Sequence, residues 1–248
     1  MGLPLESGTE TEGGVPGTGA ASRPARETRV RENPVREATD GPDHDIVAIT
    51  SSLGGVAALS RVLEDLPADF PLPVLVVQHI PRNRPCLLPK VLGRRTALQV
   101  KFAAEGERPA PGCVHLAPPD RHLLVRADGR LGLSRSEPVN FCRPAADVLF
   151  RSVAQIYGAR AIAVVLTGLG RDGARGMEAV ATAGGTTIAQ DEASAEAPDM
   201  PQAAVDIGHA DLVLPLGRIA FALTVLAGHP SLPGGEGQPP LPAPVPKD

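Results

Sequence analysis

Short apolar runs alternate along this chain with segments whose apolar residues recur at helical spacing. That alternation restricts the fold more than any other feature. Residues 45–50, 73–78 and 161–166 are compact apolar runs of strand length. Between the first two, Val56, Leu59, Val62, Leu63 and Leu66 recur at helical spacing, as Val148, Leu149, Val153 and Ile156 do within 143–157. Apolar runs without polar alternation belong to strands buried on both faces. Further strands are expected at 98–103, 113–117, 122–126, 131–134, 186–190 and 211–214. Further helices are expected at 85–92, 173–183, 201–207 and 216–226. The pattern predicts an α/β fold with a doubly wound, mainly parallel sheet and helices on both faces. Residues 122–126 and 131–134 flank Ala127-Asp128-Gly129-Arg130 and add an antiparallel hairpin at one edge.

One catalytic-sized domain over 43–228 accounts for these elements. Residues 1–42 are rich in Gly, Pro, Glu, Thr and Arg without apolar periodicity and read as a disordered tail. Residues 229–248 read as a Pro-rich disordered tail. With aromatics at 2% and no Trp, the core must be built from Val, Leu, Ile and Ala. A net charge of −4, spread along the chain, argues against a nucleic-acid partner. No apolar run approaches the roughly 20 residues of a membrane helix, so membrane insertion is not expected. The N-terminus lacks a signal-peptide pattern, and the 3 cysteines fit neither a zinc knuckle nor a disulfide framework. A cytoplasmic protein with reduced thiols is the expectation.

Ligands of doubly wound sheets sit beyond the carboxyl ends of the strands. Three predicted strands end there in chemically able residues: Thr50-Ser51-Ser52-Leu53-Gly54-Gly55, Gln78-His79-Ile80-Pro81, and Thr167-Gly168-Leu169-Gly170-Arg171-Asp172-Gly173. A serine needs a base to take its proton, and a carboxylate orients that base and stabilises the imidazolium. Ser52, His79 and Asp172 are therefore the candidate nucleophile, base and orienting acid. Bland readings stand beside each. Ser51 and Ser52 suit a helix N-cap, His79 a satisfied buried histidine, and Asp172 a turn former. Of the 6 histidines, His209 is the one rival to His79. No H-x-x-x-H, C-x-x-C or carboxylate cluster is present, so neither a metal nor a cofactor is expected.

The segments resemble, in order, the catalytic domain of the chemotaxis protein-glutamate methylesterases (CheB-type). The nucleophile turn is Val47-Ala48-Ile49-Thr50-Ser51-Ser52-Leu53-Gly54-Gly55, and Gln78-His79-Ile80-Pro81 follows as the histidine strand. The middle section matches at Glu105-Gly106-Glu107, Pro111-Gly112 and Leu116-Ala117-Pro118. Pro138-Val139-Asn140, Arg143-Pro144 and Asp147-Val148-Leu149-Phe150 lead into the long helix. The aspartate turn at 166–173, the segment at 189–194 and Met200-Pro201 complete the set. The resemblance implies Ser52 as nucleophile, His79 as base and Asp172 as orienting carboxylate. It implies hydrolysis of glutamate methyl esters on the cytoplasmic helices of chemoreceptors, in adaptation signalling, and deamidation of receptor glutamines in some relatives. Backbone N–H groups near Leu53 and Leu169, with Gly170 in the site wall, are the oxyanion candidates. Activity is expected to rise as His79 loses its proton in the ordinary histidine range.

Five positions depart from the family pattern. Thr50-Ser51 stands for a small Gly-Ala pair, Leu53 for Thr, Cys142 for His, and Asp199 for Gly. A β-branched residue suits no position of positive φ, so a glycine-dependent turn at Thr50 would need a different geometry. The phosphoacceptor domain usual in the family is not expected within 1–42, which suggests an accessible enzyme or a regulator acting in trans. The alternatives are a catalytically weak receptor-binding adaptor of a chemosensory complex, and a serine esterase or amidase with another substrate.

Overall fold

The computed structural model describes residues 44–80, 86–229 and 240–242. The expected tail at 1–42, nearly all of the one at 229–248, and Pro81 and Pro85 lie outside them. All the described residues fall in one compact unit, Asp40–Asp248.

Seven strands form a wholly parallel sheet: β1 Ile46–Ser51, β2 Val74–Gln78, β3 Gln99–Phe102, β4 Cys113–Leu116, β7 Ala161–Val165, β8 Thr186–Gln190 and β9 Leu212–Leu214, in the spatial order β3-β4-β2-β1-β7-β8-β9. The expected hairpin is present as β5 His122–Val125 and β6 Leu131–Ser134, a two-stranded antiparallel sheet of its own. Strand order reverses between β1 and β7. The chain steps outward from β1 to β2 on one side and from β7 to β8 and β9 on the other. A crevice opens at such a reversal, beyond the carboxyl ends of the strands. Ser52 follows β1, and Thr167–Asp172 follow β7.

The period of two along each strand divides the core between the sheet's two faces. Val47, Ile49, Val74, Val76, Ile162 and Val164 point to the face covered by α1 Gly55–Glu64, α2 Leu88–Leu92 and α6 Leu216–Leu226. Ile46, Ala48, Leu75, Val77, Ala163 and Val165 point to the face covered by α3 Ala146–Tyr157, α4 Ala174–Thr182 and α5 Asp199–Asp206. Every residue of β1, β2 and β7 is buried. Each buried Val, Leu or Ile contributes roughly 1.5–3 kcal/mol by leaving water, so central strands of apolar residues are strongly favoured over exposed ones. Two boundaries differ from the sequence expectation. Helix α3 starts at Ala146 rather than at Arg143, because Pro144 and the extended Ala145 (φ −119°, ψ 137°) precede it. Helix α5 starts at Asp199, before Pro201. Pro201 is tolerated in that first turn, where an N–H has no intrahelical acceptor.

Candidate active site

The end of β1 is tied to the end of β2 by one buried side chain. Ser51 Oγ donates to Gln78 Oε1 at 2.6 Å, and Gln78 Nε2 donates to the carbonyls of Ser52 (2.8 Å) and His79 (3.0 Å). The His79 N–H donates to Ser51 O at 3.0 Å, which continues the ladder one residue past the strands. A Cβ on Gly55 would collide with the Gln78 side-chain oxygen and approach Ser51 Oγ to 2.7 Å, so α1 can begin that close to the lock only with glycine there.

The Ser52 turn is stitched equally closely to the segment after β7. Ser52 N–H donates to Thr167 O at 2.9 Å, and Thr167 Oγ1 donates to Leu53 O at 3.0 Å. Gly168 lies against Ser52, where an added Cβ would come within 2.7 Å of Ser52 Cβ. Thr50 sits inside β1, buried, with its hydroxyl donating to Val77 O at 3.2 Å. The glycine-dependent geometry considered at Thr50 is not used. Thr50, Ser51 and Ser52 all keep negative φ, and the left-handed residue is Gly54, at φ 75° before α1.

His79 and Asp172 meet directly, with Nε2 to Oδ2 at 2.8 Å. Their side chains are 15% and 3% exposed, so the pair is largely withdrawn from water. Asp172 also receives the first N–H groups of α3, from Ala146 (2.6 Å) and Asp147 (3.2 Å), and Asn140 Nδ2 at 3.0 Å. Burial works against its charge, but the hydrogen bonds from His79, Ala146 and Asn140 outweigh it and hold the carboxyl below its ordinary pKa. Burial likewise favours neutral imidazole, yet the contacts to Asp172 and Cys142 prevail and push His79 up to about 9. Asp147 completes the frame. Its Oδ1 accepts from Gly173 N (3.0 Å) and Gly176 N (2.8 Å) at the start of α4, while its Oδ2 accepts from Asn140 at 2.9 Å. Each carboxylate thus caps the N-terminus of the helix that the other's loop leads into or forms.

The other ring nitrogen, His79 Nδ1, faces Cys142 Sγ at 3.9 Å. Cys142 closes a four-residue turn, with Cys142 N to Val139 O at 2.8 Å and Val139 N to Cys142 O at 3.1 Å. Its central residues Asn140 and Phe141 both have positive φ, 50° and 62°. Asn accepts that conformation readily; a phenylalanine does not. The turn aims Asn140 at Asp172 and Cys142 at His79 while leaving Phe141 fully exposed.

The three predicted residues therefore stand on adjacent strand ends. His79 and Asp172 are bonded, and Ser52 is positioned through its backbone; among the described residues no hydrogen bond joins Ser52 Oγ to His79. The Leu53 and Leu169 N–H groups donate no hydrogen bond among the described residues, and their side chains are half exposed beside Ser52 and Gly168. Gly170, at φ 91°, is exposed in the same wall. His209 sits at the opposite end of the sheet, before β9, where its carbonyl accepts from Thr187 Oγ1. Sequence reasoning missed the supporting roles of Gln78, Asn140 and Asp147. It also expected no metal-ligand set, whereas His79, Cys142 and Asp172 bring one donor atom each to within 4.8 Å of one another. Short sequence spacing could not find them, because they come from three separate segments.

Comparison with known proteins identifies the family of this fold. The family model for CheB methylesterase matches residues 47–223. The chain is 45% identical over 197 residues to protein-glutamate methylesterase FrzG of Myxococcus xanthus, covering 79% of this chain and 59% of that one. It is 48% identical over 179 residues to protein-glutamate methylesterase/protein-glutamine glutaminase 4 of the same species, strain DK1622, covering 72% and 51%. The matched region thus spans somewhat over half the length of these relatives. The crystal structure of the Thermotoga maritima CheB methylesterase catalytic domain superposes with a TM-score of 0.71 at 40% identity, covering 74% of this chain and 98% of that one. With this fold, this crevice and a match across most of its length, the chain belongs to the CheB methylesterase family.

Proposed function

We propose that the chain hydrolyses glutamate methyl esters on chemoreceptor cytoplasmic helices, and deamidates receptor glutamines, with Ser52 as nucleophile, His79 as base and Asp172 as orienting carboxylate. The observation that carries this reading is the His79–Asp172 pair, bonded at 2.8 Å and largely withdrawn from water, beside the Ser52 turn at the reversal of strand order. The hydrogen bond to Asp172 occupies Nε2, which leaves Nδ1 as the nitrogen able to take a proton. In the reaction, Ser52 Oγ attacks the ester carbonyl and its proton passes to His79. The oxyanion is received by the free N–H groups of Leu53 and Leu169, which flank Ser52 on two turns joined by the Thr167 hydroxyl. The tetrahedral intermediate collapses, His79 returns the proton to the departing methoxide, and methanol leaves. Water then repeats the sequence on the acyl-enzyme and releases the glutamate.

The reading also takes 43–228 as the catalytic domain, between tails at 1–42 and 229–248, working in the cytoplasm. No helix of the described residues is long and apolar enough to cross a membrane.

The decisive experiment follows methanol release from a methylated chemoreceptor cytoplasmic fragment. Wild type should release methanol, and Ser52→Ala should lose activity by on the order of 10³-fold or more. Equal rates in the two proteins, or none in wild type, would defeat the proposal.

A further inference from the structure

The fold places a thiol and an imidazole nitrogen face to face in the crevice, in a long sulfur hydrogen-bond contact. Cys142 Sγ and His79 Nδ1 are 3.9 Å apart. Tetrahedral zinc, with bonds of about 2.3 Å to sulfur and about 2.0–2.1 Å to nitrogen, holds those two atoms about 3.6 Å apart. A rotation of a few tenths of an ångström at either side chain closes the difference. Asp172 accepts from the opposite ring nitrogen at 2.8 Å. That bond keeps the proton on Nε2 and turns the Nδ1 lone pair outward, as carboxylates do behind metal-bound histidines. Asp172 is itself held by Asn140, Ala146 and Asp147, so it can orient the ring without leaving its place. Cys142 is half-buried, in a turn whose preceding residue, Phe141, is fully exposed.

We propose that Cys142 and His79 form an inhibitory Zn²⁺ site across the mouth of the candidate active site, with Asp172 as its orienting partner. On binding, the Cys142 S–H proton passes to solvent, a Zn–S bond forms, and the Nδ1 lone pair is donated to the metal. Water fills the remaining positions. Thiolate plus imidazole selects zinc and its softer relatives over Mg²⁺ or Ca²⁺, which take oxygen ligands. The inhibition rests on the proposed esterase reading, because the lone pair that zinc takes is the one the base needs. The binding does not.

The test uses the full chain and Co²⁺ as a spectroscopic stand-in for zinc. Wild type should show thiolate-to-cobalt charge-transfer absorption that Zn²⁺ abolishes and Mg²⁺ does not. Cys142→Ser and His79→Ala should each weaken binding at least tenfold, whereas Ser52→Ala should bind like wild type. Zn²⁺ should slow methanol release by wild type, and at least tenfold more Zn²⁺ should be needed for the same fractional inhibition of Cys142→Ser. Labelling of wild type with iodoacetamide, followed by peptide mapping, covers the case of a misfolded variant: Zn²⁺ should protect Cys142 and leave Cys86 reactive. Absence of the cobalt band, an undiminished band in Cys142→Ser, or labelling of Cys142 that ignores Zn²⁺ would overturn the site. A protein that binds cobalt through Cys142 but releases no methanol would instead defeat the esterase reading and leave the site standing.

Discussion

His79 carries two partners on opposite sides of its ring, and the balance between them sets its charge. Its pKa of about 9 lies above the ordinary histidine range, where the sequence alone had put the rise in activity. A base must be neutral to accept the serine proton. Activity should therefore climb as pH passes through about 9, and a kcat/KM profile on a small methyl ester checks this. Cys142→Ser removes one of the contacts that raise the pKa, so its profile should rise at lower pH. A profile for that variant superimposable on wild type would mean that Cys142 does not influence the base. Phe141 poses a separate residue-scale question, because it is fully exposed and adopts φ 62°. Glycine at the same position carries no steric penalty for positive φ, and Phe141→Gly should stabilise the fold by about 0.5–1 kcal/mol in urea unfolding. A loss of stability would show that the phenyl ring makes a contact that outweighs its backbone strain.

At the scale of elements, the site is a set of helix starts locked to strand ends. Asp147 accepts from Gly173 and Gly176 at the start of α4, and its removal would leave those N–H groups buried without partners. Asp147→Ala should cost roughly 2–4 kcal/mol, measured by thermal or denaturant unfolding, because two charge-assisted bonds and the bond from Asn140 go together. Gly168→Ala acts on the other side of the crevice. The new Cβ would meet Met200 Sδ and come within 2.7 Å of Ser52 Cβ. Overpacking of this kind costs roughly 1–3 kcal/mol. It should also cut kcat disproportionately, since the group displaced is the turn that carries the proposed nucleophile, Ser52. An unaltered kcat with lowered stability would separate Ser52 from the chemistry. The element boundaries tell a related story. The apolar runs marked β1, β2 and β7 to within a residue or two, because strands buried on both faces admit little else. The start of α3 was less legible, since what begins it is the carboxylate of Asp172, which lies 26 residues downstream of Ala146.

For the whole molecule, the His79–Asp172 pair links stability to pH in two directions. The pKa of Asp172 is lowered by folding, so its contribution is present above the ordinary carboxylate range and fades as pH falls through its depressed folded value. The pKa of His79 is raised from 6.5 to about 9, so its contribution is complete below 6.5 and is lost as pH rises through about 9. Thermal melts of wild type should show a plateau between these limits, and Asp172→Asn should flatten both shoulders. Identical pH dependence in the variant would mean that the pair contributes nothing to folding.

The sequence by itself determined the class of fold, the alternating layers and the three strand ends that matter, because hydrophobic periodicity and glycine turns are local properties. It also marked Ser52, His79 and Asp172, since the rule that ligands gather at carboxyl ends of strands needs only strand positions. Tertiary structure alone decided which atoms meet. It placed Asp172 on Nε2 of His79, set Cys142 against Nδ1, recruited Gln78, Asn140 and Asp147 as supports, and put the left-handed turn at Gly54 rather than at Thr50. Those contacts join residues between 26 and 93 positions apart. They depend on how the helices seat against the sheet, which local sequence pattern does not encode.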